Sequence, residues 1–351
     1  MVKFFKEKLN RLIEFYEYRK NIHDSIFDKD KVYKEIRKHY EFFNKSEDID
    51  YEETILVENT SDLRVSVVTA VYNGEKYIND AFKSLESQTI SKNIEWIIVD
   101  DNSTDNTVEL IKRLSKNNTK LGRIKLIKLN KKNSSSFPLY LGFNKTVCDV
   151  LAWHDVDDYY VSPNKLELDY RVIKNEKYDI SCSIYMKRGY DLNKFVTFRS
   201  ILDILNQWIL VRNYSSLELL DKFSLNINLF LSFLFFFNIF STISTSFSRA
   251  KYFEVGGIDS KTSYVPADFD LFFKMLLIGS KVKFNESIVF YRFTNTQMTR
   301  NLASMEIGFL FLSIRILEAI HKKKQKLFYE ILNNLFLFFL ELKKKLYFKY
   351  K

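Results

Sequence analysis

The feature that most constrains the fold is a regular alternation of apolar runs with amphipathic segments between residues 64 and 155. The apolar runs are VSVVTAVY, EWIIVDD, IKLIKLN and VLAWHD, and their β-branched residues are typical of strands buried on both faces. Strands that alternate with helices form a mostly parallel sheet covered by helices. The sequence therefore predicts an α/β fold with a mostly parallel twisted sheet flanked by helices, as in a Rossmann-like nucleotide-binding half.

The segments between these runs predict helices over residues 75–88, 103–116 and 136–147, with Ser103 and Thr104 as candidate N-caps of the second. Helical periodicity is also present before residue 60, and SEDIDYEETILVENTSDLR is interpreted as a linker. We predict a helical N-terminal extension over residues 1–62, a main domain over 63–302, and basic amphipathic C-terminal helices over 303–351.

The positive charge is concentrated at the C-terminus. Of the formal net charge of +10, residues 321–351 contribute nine lysines and two glutamates, which flank an apolar helix. Because no known nucleic-acid-binding motif accompanies these lysines, we expect no nucleic-acid partner. Lysines beside an apolar face favour peripheral association with an anionic membrane; the alternative is a helix packed on the main domain.

Two further features bear on localisation. Residues 225–240 are strongly apolar but too short to span a bilayer, which favours a buried helix or an apolar surface. The first 20 residues lack the apolar core of a secretory signal, and Cys148 and Cys182 have no metal-ligand spacing. We therefore expect a cytoplasmic protein, held peripherally at the cytoplasmic face of the membrane.

Acidic residues follow two of the predicted strands. Asp100 and Asp101 end the second strand, and Asp155, Asp157 and Asp158 end the fourth. Ligands of open α/β sheets bind at the carboxyl ends of the strands, and carboxylates crowded there repel one another unless a cation binds. A metal site is therefore expected, although a solvated acidic turn is the simpler alternative. His154 points to the opposite face and is predicted to be a core residue.

Several spaced motifs together resemble the family 2 glycosyltransferases, which have the GT-A fold. The motifs are TAVYNGEKYINDAFKSLESQT, EWIIVDDNSTDNT, LAWHDVDD, FSRAKYFEVGGIDS and PADFDLFFKMLLIGSKV, and they cover about residues 65–300. The resemblance implies an inverting transfer of a sugar from a nucleotide-sugar donor, with a UDP-sugar favoured, to a hydroxyl of a glycan or lipid-linked acceptor. It also implies a role in the synthesis of cell-surface polysaccharide or lipopolysaccharide.

The same resemblance assigns site residues. It implies that Asp155, Asp157 and the adjacent Asp158 hold Mn²⁺ or Mg²⁺ against the diphosphate, as oxygen ligands suit these cations. It implies that Asp268 is the catalytic base, with Asp270 as the substitute candidate. The residues that it places in contact with the nucleotide-sugar are Ala70, Tyr72, Asn73, Asp100, Asp101 and Asp155.

The chain departs from the family pattern at three points. Leu139 and Tyr140 stand where the family usually has Arg and Asn, Ala267 replaces a Glu, and Thr294 replaces a His. These departures favour a second hypothesis, a non-catalytic relative that keeps the fold and binds sugar nucleotides or glycans.

Overall fold

The structure is a computed structural model that describes residues 50–116, 118–188, 240–260 and 267–292. Several sequence predictions therefore lie outside the described residues. They are the helices before residue 50, the apolar segment up to residue 239, the basic C-terminal helices and Thr294.

The described strands form one nine-stranded sheet. Their bounds are β1 (Tyr51–Glu58), β2 (Val65–Val71), β3 (Ile94–Asp100), β4 (Arg123–Leu129), β5 (Val150–Trp153), β6 (Tyr159–Tyr160), β7 (Ile180–Arg188), β8 (Thr245–Ser248) and β9 (Val282–Arg292). The strand order in the sheet is β1-β4-β3-β2-β5-β8-β7-β9-β6. The strands β4, β3, β2 and β5 are parallel to their neighbours in this group, and β1 and β8 flank the group as antiparallel strands.

Six α-helices are described. They are α1 (Ile78–Glu86), α2 (Thr107–Ser115), α3 (Phe137–Asn144), α4 (Lys165–Tyr170), α5 (Arg249–Glu254) and α6 (Ala267–Leu277). A π-helical turn follows α4 over Arg171–Asn175, and a 3₁₀ turn over Thr242–Ser244 leads into β8. The alternation of strands and helices from β2 to β5 confirms the predicted α/β fold.

The parallel strands have apolar cores on both faces. Along β3, Trp96 and Ile98 pack in one cluster with Phe82 of α1, whereas Ile97 and Val99 pack in the other with residues of α3 and α6. Successive side chains of a strand point to opposite faces, so an uninterrupted apolar strand needs helices on both sides. This burial accounts for the β-branched runs from which the sheet was predicted.

Gly142 explains how α3 comes so close to the sheet. A Cβ atom at this position would lie 2.5 Å from Cγ1 of Val68, closer than van der Waals contact allows. Any larger residue would therefore push α3 away from β2. Leu139, which lies one turn before Gly142 in α3, is buried in the same core.

A buried polar network joins α4 to the strands β7, β8 and β9. Lys165 and Asp169 have fully buried side chains, and Nζ of Lys165 lies 2.7 Å from Oδ2 of Asp169. The Asp169 carboxylate also accepts hydrogen bonds from Ser181 Oγ, Ser246 Oγ and Asn285 Nδ2. A buried ion pair is tolerated when further hydrogen bonds satisfy its remaining lone pairs, as they do here.

Two local predictions are wrong. The segment interpreted as a linker contains β1, which pairs with β4 as an antiparallel strand. The helix α2 begins at Thr107, and Ser103 and Thr104 lie in the loop before it rather than at its N-cap. Oδ1 of Asp105 instead accepts a hydrogen bond from the Thr107 amide at 3.0 Å, which occupies a donor that the helix leaves unpaired.

Candidate active site

The two acidic clusters lie at the same edge of the sheet. Val71 of β2 is paired with Asp100 of β3, and Val68 is paired with Trp153 of β5. Because these strands are parallel, their carboxyl ends meet at one edge, which we call the carboxyl edge. We refer to Asp100 and Asp101 as the nucleotide-side acids, and to Asp155, Asp157 and Asp158 as the metal-side acids.

The nucleotide-side acids are held by backbone amides of nearby loops. Oδ2 of Asp100 accepts a hydrogen bond from the Ser103 amide at 3.0 Å, and Oδ1 of Asp101 accepts one from the Asn133 amide at 2.9 Å. Burial raises the pKa of Asp100, and it raises the pKa of Asp101 to about 6. Within the described part of the chain, Oδ1 of Asp100 is buried and has no hydrogen-bond partner, so it can accept one from a ligand.

The end of β2 places an exposed aromatic ring beside these acids. Tyr72 is 42% exposed, and Nζ of Lys132 lies 3.2 Å from the centre of its ring, whereas Ala70 is partly buried within β2. Asn73 has a φ of 52°, in the left-handed region that Asn adopts more readily than most residues. Its Oδ1 accepts a hydrogen bond from the Thr104 amide at 2.8 Å, so its side chain joins the loops that follow β2 and β3.

Both oxygens of the Asp155 carboxylate accept hydrogen bonds from side chains. Trp153 Nε1 donates to Oδ1 at 2.9 Å, and Thr242 Oγ1 donates to Oδ2. Burial, together with the negative charges of Asp157 and Asp268, raises the pKa of Asp155 to about 7.

Asp158 faces the interior. It is 1% exposed, and its Oδ1 accepts a hydrogen bond from the Arg292 amide at 2.7 Å. Burial, followed by the charges of Asp157 and Asp155, raises its pKa well above the usual range. Oδ2 of Asp158 is buried and has no hydrogen-bond partner among the described residues.

The two candidate bases on α6 differ in their surroundings. Asp270 is buried and forms an ion pair of 2.8 Å with Lys274, which also donates to the Gly257 carbonyl at 2.7 Å. Asp268 is partly buried in the first turn of the helix and is the residue whose charge reaches Asp155. The ion pair with Lys274 therefore occupies Asp270, and Asp268 stays the candidate base.

The donor chemistry of the metal-side acids fits Mn²⁺ or Mg²⁺. Carboxylate oxygens are preferred ligands of both cations, and a bound cation would relieve the repulsion that raises the Asp155 pKa. Within the described ranges, however, no group of three or more His, Cys, Asp or Glu side chains is arranged as a ligand set. The fit is therefore one of chemistry and charge.

Near the site, one sequence prediction can be checked and two residues were not predicted. His154 is fully buried with Nε2 3.4 Å from Ser84 Oγ, and burial lowers its pKa to about 3, which confirms a core histidine. Thr242 was not predicted, and no sequence motif marks it. Asn133 was also missed, although its position just after β4, at the carboxyl edge, could have indicated it.

Comparison with known proteins identifies the family. The family described as "Glycosyl transferase family 2" matches residues 66–244, which is more than half of the chain. The chain belongs to this family. The match spans β2 to β5 and ends at the 3₁₀ turn that carries Thr242, so both acidic clusters lie within it.

Curated relatives are similar over shorter stretches. An uncharacterized glycosyltransferase of Haemophilus influenzae is 32% identical over 103 residues, which are 29% of this chain and 39% of that protein. The Escherichia coli protein WfaP, named as a UDP-Glc:alpha-D-GlcNAc-diphosphoundecaprenol beta-1,3-glucosyltransferase, is 35% identical over 121 residues. These residues are 34% of this chain and 45% of WfaP. The chain thus spans less than half the length of either relative.

Solved structures support the fold. The crystal structure of Staphylococcus aureus TarS residues 1–349 in complex with UDP-GlcNAc has a TM-score of 0.53 to this chain at 16% sequence identity. The similarity covers 79% of this chain and 73% of that one. At this level of identity the likeness shows the GT-A fold alone. Among the described residues, no helix is long and apolar enough to cross a membrane.

Proposed function

We propose that this protein is an inverting glycosyltransferase that transfers a sugar from a UDP-sugar to a hydroxyl of a lipid-linked glycan. The observation that carries the proposal is that the parallel strands β3 and β5 end at one edge of the sheet, so Asp100 and Asp101 lie at the same edge as Asp155 and Asp157. This arrangement supports a site in which the nucleotide and the diphosphate of one donor bind side by side. The relative WfaP supports the donor and acceptor classes, because its name describes a UDP-sugar donor and a lipid diphosphate acceptor.

The nucleotide-side acids would bind the donor. The Asp101 carboxylate and Oδ1 of Asp100 are hydrogen-bond acceptors at the end of β3, and Tyr72 follows the neighbouring strand β2. A carboxylate can accept a hydrogen bond from a ribose hydroxyl or from an N–H of a base. Burial makes such bonds stronger, since water competes less for them.

Asp155, Asp157 and Asp158 would hold Mn²⁺ or Mg²⁺ near the diphosphate. When bound, the cation supplies positive charge that neutralises the leaving nucleoside diphosphate. The protein's own part is to orient Asp155 through Trp153 and Thr242 and to hold Asp158 through the Arg292 amide.

Asp268 would take the proton of the acceptor hydroxyl. As the acceptor oxygen forms a bond to the anomeric carbon, the bond from that carbon to the diphosphate oxygen breaks, and the hydroxyl proton passes to the Asp268 carboxylate. Attack from the face opposite the leaving group inverts the anomeric configuration. A positioned general base of this kind contributes a factor of about 10² to 10⁴ in rate.

The proposal is tested by turnover of a panel of UDP-, GDP-, dTDP- and CMP-sugars with Mn²⁺ and a lipid-linked acceptor. Wild type should turn over a UDP-sugar, and Asp157→Asn and Asp268→Asn should each lower turnover by a factor of about 10² or more. Asp149→Asn is the matched control, because Asp149 is an exposed residue before β5, paired with Lys174. In a parallel thermal-melting assay, an unchanged melting temperature with all four nucleotides would contradict the proposal.

A non-catalytic role is the second candidate, and the burial of Leu139 favours it. The family's usual arginine is replaced here by an apolar side chain that packs in the core, so one cation is missing from the carboxyl edge. Nucleotide binding by wild type without turnover of any donor, including hydrolysis, would favour this candidate.

We also propose that residues 321–351 attach the protein to the cytoplasmic face of an anionic membrane. Clustered lysines contribute about 1 kcal/mol each near such a surface, and the interleaved apolar residues add burial at the headgroup level. Removal of residues 321–351 should abolish co-sedimentation with liposomes that contain phosphatidylglycerol. Unchanged co-sedimentation would contradict attachment through this segment.

A further inference from the structure

We propose that Thr242 and Trp153 are positioning residues that fix the Asp155 carboxylate and thereby set how tightly the site binds a divalent cation. The inference rests on the proposed function, since it concerns the cation that the metal-side acids would hold. Thr242 lies outside the motifs noted in the sequence, and both residues reach Asp155 from outside the HDVDD segment.

The two donors restrain both oxygens of one carboxylate. Trp153 Nε1 bonds to Oδ1 at 2.9 Å, and Thr242 Oγ1 bonds to Oδ2. A carboxylate has about four lone-pair positions, and these bonds leave one on each oxygen. With both oxygens held, the carboxylate plane cannot rotate freely, so the remaining lone pairs keep a fixed direction.

Trp153 is itself held in place. It ends β5 with 4% exposure, and the edge of its ring packs against Phe143 of α3 with ring centres 5.9 Å apart. Because an indole N–H can only donate, its partner here has to be an acceptor, and Asp155 is two residues away. The indole therefore forms a rigid support for Oδ1.

Thr242 lies on a turn whose shape does not depend on its hydroxyl. The carbonyl of Ser241 accepts hydrogen bonds from the Ser244 amide at 3.0 Å and from Thr245 Oγ1 at 2.9 Å, and these bonds close the turn. Just before it, Phe240 packs against Phe272 of α6 with ring centres 5.1 Å apart. The Thr242 hydroxyl instead donates its hydrogen bond to Asp155.

The turn therefore ties the metal-side acids to the helix that carries Asp268. Groups that orient a metal ligand without touching the metal typically change metal affinity by a factor of about 10 to 100 when they are removed. We expect Thr242→Val, which keeps the volume and loses the hydroxyl, to produce an effect of this size. Thr242→Ser should restore affinity to within about threefold of wild type, since it restores the donor.

The experiment measures Mn²⁺ affinity in the presence of UDP by electron paramagnetic resonance of free Mn²⁺, with no turnover involved. Thr242→Val and Trp153→Phe should bind Mn²⁺ about 10-fold or more weakly than wild type. Thr146→Val is the matched control, because its buried hydroxyl bonds to the Phe143 carbonyl at 2.7 Å and lies before β5, away from the carboxyl edge. The control should bind Mn²⁺ as wild type does.

Kinetics give a second readout. With a UDP-sugar that wild type turns over, Thr242→Val should raise the Mn²⁺ concentration needed for half-maximal rate. At saturating Mn²⁺, kcat should recover to the wild-type value. Thermal melting without Mn²⁺ should change no more than it does in Thr146→Val, which separates positioning from general destabilisation. Where Thr242→Val does not fold, Trp153→Phe carries the same comparison.

Two outcomes would overturn the inference. One is Mn²⁺ affinity of Thr242→Val and Trp153→Phe equal to or higher than that of wild type. The other is an equal loss of affinity in Thr146→Val. A wild type that binds no Mn²⁺ in the presence of UDP would contradict the metal-assisted function itself. A wild type that binds Mn²⁺ no more tightly than the two variants would contradict only the positioning role, so the two failures are distinguishable.

Discussion

The nucleotide-side acids and the metal-side acids lie at the same edge of one sheet, yet they are held in different ways. Asp100 and Asp101 accept hydrogen bonds from backbone amides 3 and 32 residues away, in the loops that follow β3 and β4. Asp155 and Asp158 depend on Thr242 and Arg292, which are 87 and 134 residues away. Half of the site is thus built locally, and the other half depends on the packing of β8, β9 and α6.

The largest effect should be on turnover for the metal-side acids and on UDP affinity for the nucleotide-side acids. We expect Asp155→Asn to lower turnover by a factor of about 10³, because it weakens charge compensation at the leaving group. Asp101→Asn should instead weaken UDP binding by about tenfold, the typical loss for a hydrogen bond to a charged group. Turnover and UDP titration calorimetry measure both variants. Equal losses of the same quantity would show that the two sides do not differ in function.

The next largest effect concerns stability. Lys165→Met leaves Asp169 buried without its cation, and loss of one partner of a buried ion pair costs about 3 to 5 kcal/mol in the free energy of unfolding. Arg123→Met at the other side of the sheet should cost less, because the Arg123 side chain is 19% exposed and water can reach Glu95 once the guanidinium is removed. Urea denaturation of both variants gives the comparison. A loss for Lys165→Met no larger than that for Arg123→Met would contradict the larger contribution of the Lys165–Asp169 pair to stability.

A pH effect on nucleotide binding is expected from Asp101. The pKa of Asp101 is raised to about 6, so binding of uridine through its carboxylate should strengthen from pH 5 to pH 7 and then level off. The corresponding contribution to folding stability has the opposite trend: it is present below the unfolded pKa of 3.8 and is lost as the pH rises through about 6. Uridine titration by NMR, with Asp101→Asn as the control, tests the first trend. Equal pH dependence in the variant would assign it to another group.

The smallest effect should come from Asn73. Asn73→Ala removes the bond from the Thr104 amide and places Ala at a φ of 52°, which an alanine adopts at a cost of about 1 kcal/mol. We expect UDP affinity to fall by a few fold, because the loop joined to Asn73 carries Ser103, the partner of Asp100. Asn73→Gly, which tolerates the backbone conformation, should recover part of the loss. A complete loss of binding would instead support direct contact of Asn73 with the nucleotide.

The parts that could be predicted from sequence are those with strong local patterns. β2, β3 and β5 could be predicted because both faces of each strand are buried, which favours unbroken apolar runs. β4 could be predicted because its buried apolar residues are interleaved with partly exposed basic ones. The acids at their ends could be placed by the rule that parallel strands end at one edge.

The parts that could not be predicted depend on distant partners. β1 is mostly exposed and carries charged residues, such as Glu53 paired with Lys125 of β4 at 3.0 Å, so its sequence is similar to that of a polar linker. Thr242 is one of many hydroxyl residues, and only the packing of β8 beside β5 brings it to Asp155. Sequence spacing says nothing about a contact that spans 87 residues.

The pairing of β1 with β4 also affects how the protein behaves when it is shortened. A fragment that begins at residue 63, the predicted start of the main domain, would lack β1. The backbone N–H and C=O groups of β4 would then have no partners along one side. An exposed strand of this kind is a template for pairing with another chain, which leads to aggregation. A soluble fragment should therefore begin at or before residue 50, so that β1 shields the sheet from other molecules.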